Sequence, residues 1–406
     1  MKCGSQEGGA VRRGIIGLVL AVLGAGQITI AAQELKVFGR TIQVHGFAAQ
    51  GYVYTSGNNW LTMNTNGDGS AGFTEMGLNA SVPITDKFRF SAQVYDRNLG
   101  QIGQYHPSLD FAVADYRFKP WLGVRVGKVK TTLGLYTDSQ DLDFVHTFAL
   151  MPQGIYPLDL RDSNIAHTGT DVYGNLDLGR RLGTLSYTGY VGERRDSIYS
   201  GYEYFLHTVH NYTIHYGGLQ YGGDVRWQTP VKGLLVGASR LEEDLRGFSL
   251  RLGVYVHERS LQPDFTNQFY GHYVWRKFKI DAENKRYYRH HSVKNGTAQD
   301  ALNVHAWYVA GSYRALKRLE LGTYYSHYTM TSTFFNLYDT NLPAQHDYDK
   351  VVSARVDINR YWNVKFEGHF MDGYGFGPYP NGFYPQQNPT FVPNTNAFVC
   401  KTSFNF

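Results

Sequence analysis

Asn396-Ala397-Phe398-Val399-Cys400-Lys401-Thr402-Ser403-Phe404-Asn405-Phe406 closes the chain. Side chains alternate along an extended strand. Phe398, Cys400, Thr402, Phe404 and Phe406 therefore share one face, and Ala397, Val399, Lys401, Ser403 and Asn405 share the other. One face is oily and the other is polar. An aromatic strand with no turn after it needs a partner from elsewhere in the chain, so the question is whether the preceding residues supply a sheet that it can close.

They are suited to one. The 406 residues hold 32 Tyr, 24 Phe and 45 Gly but only 2 Cys, and mean hydropathy is −0.37. The chain is polar on average yet rich in residues that favour strands and membrane interfaces. No apolar run reaches the roughly 20 residues of a spanning helix, apart from one short N-terminal candidate. There Lys2, Arg12 and Arg13 precede an apolar stretch, Gly14 to Leu23, and small residues follow to Ala31 and Ala32. That pattern reads as a secretory signal peptide over residues 1–32. Its removal leaves Cys400 as the sole thiol, which excludes an intrachain disulfide. It also changes the balance of basic and acidic residues from 39 against 34 to 36 against 33. A nucleic-acid partner is not indicated by so small and unclustered an excess.

From residue 38 onward, runs of alternating apolar and polar residues are joined by short and long connections in turn. Phe88, Phe90, Ala92 and Val94 alternate with Lys87, Arg89, Ser91 and Gln93. A soluble core would not accept that second face. The pattern predicts an all-β chain over residues 33–406, a transmembrane antiparallel β-barrel with sixteen strands, tight periplasmic turns and long external loops. Thr41 to Tyr54 is the first strand and Asn396 to Phe406 the sixteenth. An even count lets the two meet and removes the unpaired edges that lipid would not tolerate. Phe248 to Val256 also alternates, and with a partner it would raise the count to eighteen. Trp121, Trp227, Trp275 and Trp362 stand beside inferred short turns, as an interfacial girdle requires.

The terminal strand resembles the closing strand of bacterial outer-membrane barrels, whose last Phe is read by the barrel-assembly machinery. Arg125-Val126-Gly127-Lys128-Val129-Lys130-Thr131-Thr132-Leu133-Gly134-Leu135-Tyr136 resembles the strand leading into the inward-folded third loop of sixteen-stranded proteobacterial porins, with Leu133 where a Pro commonly stands. The acidic string of the trimeric general porins is absent. The resemblance implies an outer-membrane location and contact with its lipid. It also implies a homotrimer, and a constriction loop at residues 131–168.

By strand phase Arg89, Arg117 and Arg125 point into the lumen, with Lys128 and Lys130 near its rim. Asp138, Asp141, Asp143, Asp159, Arg161 and Asp162 lie on the long connection. Facing acidic and basic walls would set a transverse field across a constriction. The function expected is passive passage of small hydrophilic solutes or ions, without a cofactor. A channel selective for phosphate, other anions or carbohydrate is the second reading, although inward acids such as Glu75, Asp224, Asp357 and Glu367 oppose a purely basic lumen. A surface barrel used for adhesion or hydrolysis is the third; no nucleophile string stands out.

Three further signals are read as loop features. Gly67-Asp68-Gly69-Ser70-Ala71-Gly72 matches a dinucleotide-binding string, but no helix follows it, and it reads as a flexible first loop. His207, His210, His215, His290 and His291 lack metal-site spacing. Asp372 to Asn396, with five prolines, reads as an irregular external loop whose tyrosines face the pore mouth.

Overall fold

A computed structural model describes the backbone of residues 33–37, 39–210, 213–251, 254–260, 263–292, 299–333, 337–375 and 381–406. The expected signal peptide lies outside these, as do the side chains of the five loop histidines. Sixteen antiparallel strands cross the barrel. They are β1 (Arg40–Thr55), β2 (Ser70–Thr85), β3 (Phe88–Leu99), β4 (Ser108–Lys119), β5 (Leu122–Lys130), β6 (Ala166–Asp177), β7 (Thr184–Arg195), β8 (Thr213–Gln228), β9 (Leu234–Arg251), β10 (Asp264–Trp275), β11 (Phe278–Ser292), β12 (Gln299–Leu316), β13 (Leu319–Ser332), β14 (His346–Asp357), β15 (Trp362–Gly373) and β16 (Asn394–Asn405).

Each strand pairs with its sequence neighbours, and β16 closes on β1 from Ala397↔Thr55 to Asn405↔Phe47. Beyond the last strand residue, Phe406 exchanges both backbone hydrogen bonds with Gly46, at 2.9 and 3.2 Å. The terminal strand thus has the partner its alternation requires, and the sheet has no lipid-facing edge. Its two faces separate as expected: Phe398 is exposed on the outer wall, while Ala397, Val399, Lys401 and Ser403 are buried inside.

The count is sixteen rather than eighteen. Phe248 to Arg251 is the tip of β9, and it pairs with Val254–Ser260 in a hairpin of register Arg246↔Arg259 to Arg251↔Val254. That returning piece also touches β11, at Arg259↔Ser292 and Ser260↔His291, and is continued by β10. Pro263, directly before β10, has no N–H to give a ladder. The fifth loop is therefore an extension of two existing strands, without a further crossing. A short strand, Gln33–Val37, folds back along the start of β1.

Outside, Leu78, Phe90, Val126, Val225, Ile280, Val352 and Phe366 remain exposed and form the apolar face that lipid covers. Trp121, Trp227 and Trp275 sit exposed at the short-turn end, and Trp362 donates its indole N–H to Thr402 at 2.7 Å.

Inside, several connections depart from the expected external loops. Trp60, Leu61 and Met63 of the first connection are buried in one cluster with Ile102, Leu158, Phe205, Phe383 and Tyr384. The first loop is thus packed inward, and Ser70 to Gly72 already belongs to β2. The last connection also enters the mouth: Tyr384 is fully buried, and its hydroxyl donates to Asp159 at 2.6 Å. Apolar side chains in loops of a wide barrel can leave water only by covering one another, which short-range patterning does not register.

Candidate functional site

The site is built by residues 131–165, which leave β5 and run inside the barrel. Gly134 makes the turn inward at φ +70°, and a Cβ there would collide with Gln268 of the far wall. Glycine meets both demands. The next residues dock at once. Gly134 N–H donates to Ser239 at 2.8 Å, Leu135 N–H to Glu283 at 3.0 Å, and the Tyr136 hydroxyl to Asp281 at 2.9 Å.

Further along, the loop's backbone is satisfied by charged wall side chains. Glu367 accepts the N–H groups of Ala149 and Leu150 at 2.7 and 3.0 Å. Lys365 donates to the carbonyls of Asp143 and Phe148 at 2.6 and 2.9 Å, Arg355 to that of His146 at 3.0 Å, and Lys285 to that of Ile155 at 3.2 Å. Arg97 donates to the Leu158 carbonyl. A buried backbone group must find such a partner, and here the wall's ions provide it with charge-assisted bonds. Phe148, Ile155 and Tyr156 add an apolar seam against Tyr308, Tyr324 and Tyr328 of β12 and β13.

The sequence-derived residues fall into two groups. In the first, Asp143 is buried between Lys365 and Lys401, at 3.0 and 2.8 Å, and accepts from Ser403. Asp141 lies 2.6 Å from Lys130 and 3.6 Å from Arg161. Arg161 is itself buried against Asp110 at 2.8 Å and over the Tyr95 ring. Asp159 meets Tyr384, and Asp162 pairs with Arg97 at 3.0 Å. Asp141, Asp143 and Asp162 touch their cations directly, so the facing walls expected across water are in contact at Asp141 and Asp143. Lys128 reaches the Leu109 carbonyl.

The second group lies toward the short-turn end. Arg125 is 3.9 Å from Asp115 and stacks on Tyr173. Arg89 and Arg117 are exposed and have no ion-pair partner among the described residues. Asp138 is half exposed, 3.9 Å from Arg226.

Burial alone would raise the Asp143 carboxyl, but Lys365 and Lys401 hold it well below the usual range. Asp141 is likewise depressed, with Lys130 and Arg161 outweighing its burial. Burial pushes the His146 imidazole down to about 4, against the opposing Ser139 carbonyl 2.9 Å from its Nε2.

Sequence reading missed Arg97, Arg226, Lys285, Arg355 and Lys365, the wall cations that grip the loop. Their signal is strand phase: Lys365 sits between Val364 and the exposed Phe366, and Arg226 between the exposed Val225 and Trp227.

Two spaces remain. A narrow cleft of about 70 Å³ separates the loop, at Leu133, Gly154 and Leu160, from the wall at Arg194, Glu243 and Lys285. A vestibule of about 570 Å³ at the short-turn end is bordered by Phe144, Arg318, Arg355, Arg360 and Trp362.

By sequence, no family model and no curated protein matches the chain. Solved structures do resemble it in fold. OmpT of Vibrio cholerae shares 13% identity at a TM-score of 0.55, over 92% of this chain and 100% of that one. The anion-selective porin of Comamonas acidovorans shares 9% at 0.56, over 90% and 100%. Salmonella typhi OmpF, solved with daunomycin, shares 13% at 0.56, over 92% and 100%. The chain has the closed sixteen-stranded barrel fold of the bacterial outer-membrane porins.

Proposed function

We propose that the chain is a passive outer-membrane channel for small hydrophilic solutes and ions. Solutes pass between the internal loop and the wall that carries Arg194, Glu243 and Lys285. The carrying observation is the loop of residues 131–165, gripped inside the lumen by side chains from strands around the barrel. A sixteen-stranded barrel is too wide for its strand side chains to fill, so a fixed internal loop sets the aperture and its charged rim sets ion preference.

Anions are favoured in this reading. The carboxylates of the loop's midsection are neutralised by buried cations, whereas Arg89 and Arg117, toward the short-turn end, have no carboxylate partner among the described residues. Anion selectivity is also the stated property of the Comamonas porin of like fold. OmpT of Vibrio cholerae has been solved in a trimer form, which supports a homotrimer here. No bond chemistry or energy source enters the mechanism.

Reversal potentials across a planar bilayer under a salt gradient test the charge assignment. Arg89→Glu with Arg117→Glu is expected to move selectivity toward cations. Selectivity that stays where the wild type has it would sink the assignment.

A further inference from the structure

The short turns carry charge that the channel reading does not use. Lys87, Lys232 and Arg360 stand in three of them, and Arg180-Arg181, Arg276-Lys277 and Lys317-Arg318 in three more. Lys119 precedes the remaining turn, Pro120-Trp121. Asp86 is the sole carboxylate within the seven turns, and Asp177 and Asp357 precede two of them. All these cations are exposed, and none has an ion-pair partner among the described residues. The long connection inside the barrel carries the reverse balance: residues 131–165 hold five aspartates against Arg161.

The turns also reach the depth of the lipid headgroups. Leu182, Val231 and Leu316 are exposed within or beside them, and Trp121, Trp227 and Trp275 mark the same level. Arg276 lies 5.0 Å over the Trp275 ring, on the outer side of the barrel.

We propose that this rim is a binding ring for anionic phospholipid headgroups of the periplasmic leaflet. Unpaired cations held at the interface by flanking apolar side chains complement a phosphodiester. The ring orients the barrel and recruits acidic lipid around it. Lys317, Arg318 and Arg360 also border the vestibule, so the test uses the other cations.

The full chain is reconstituted in phosphatidylcholine vesicles, and its association with spin-labelled phosphatidylglycerol is compared with that of spin-labelled phosphatidylcholine. The wild type is expected to prefer phosphatidylglycerol about fivefold at low ionic strength and to approach parity in 1 M salt. The combination Arg180→Gln, Arg181→Gln, Lys232→Gln, Arg276→Gln and Lys277→Gln should abolish the preference while leaving single-channel conductance intact. If that variant does not fold, the salt series on the wild type decides alone. Equal association of the two lipids with the wild type overturns the proposal, as does a preference indifferent to salt. So does retention on purified peptidoglycan that these substitutions abolish without any lipid preference, because the ring would then serve a different polymer.

Discussion

Asp143 and Arg89 are both inward-facing charges of a wide barrel, and they have opposite fates. Asp143 is buried with a lysine on each side, and Arg89 is exposed without an ion pair among the described residues. An ion inside a β-barrel can therefore serve as a rivet or as part of a field. The geometry of the internal loop decides which. Where the loop touches the wall, opposite charges meet and cancel; where it does not, the charge stays exposed.

The contrast is broken most forcefully at the rivet. Asp143→Asn leaves Lys365 buried with carbonyl partners only, and takes from Lys401 one of its two carboxylates. Removing one member of a buried ion cluster costs about 3–5 kcal/mol, and a large fall in the urea unfolding midpoint is the expected result. Deleting Phe406 should lower the yield of assembled barrel, through loss of its two backbone bonds to Gly46 and of the terminal aromatic, while ion selectivity in the barrels that form stays the same.

Acid separates the two buried loop groups by pH window. His146 titrates at about 4 in the folded chain and near 6.5 when unfolded. The unfolded state binds more protons in that interval, so this group's stabilisation is lost as pH falls from about 6.5 toward 4. His146→Gln should flatten the midpoint over that range. Asp143 is depressed on folding, so its contribution is present above about pH 4 and disappears below it; Asp143→Asn should remove that lower slope. The smallest effect on stability is expected from Arg89→Glu, within about 0.5 kcal/mol as for other exposed sites, although the same change should move the reversal potential.

Much of the barrel was legible because lipid outside and water inside impose a period of two on every crossing. Lys401, out of place in an oily strand, was readable as a lumenal residue from its phase alone, and it meets Glu75 at 2.6 Å. Phe248 to Val256 shows where phase stops: a hairpin above the bilayer alternates as a crossing strand does. The acidic loop was recognisable by its likeness to the porin third loop. Its partners were not, because Lys365 and Lys401 lie more than 200 residues beyond Asp143 and nothing local marks them as a pair. Trp60 and Tyr384 were hidden for the same reason. Trp60 sits among Gly, Asn and Thr and Tyr384 among Gly, Asn and Pro, in composition that reads as exposed loop, and each is buried by connections from other parts of the chain.

Water and small solutes are proposed to pass between the internal loop and the wall. Single-channel recording of the purified chain in planar bilayers, with polyethylene glycols of graded size added, tests this most directly. The account predicts discrete, long-lived conductance steps that small polymers reduce and large ones leave unchanged. A folded barrel that inserts without any conductance step would contradict it.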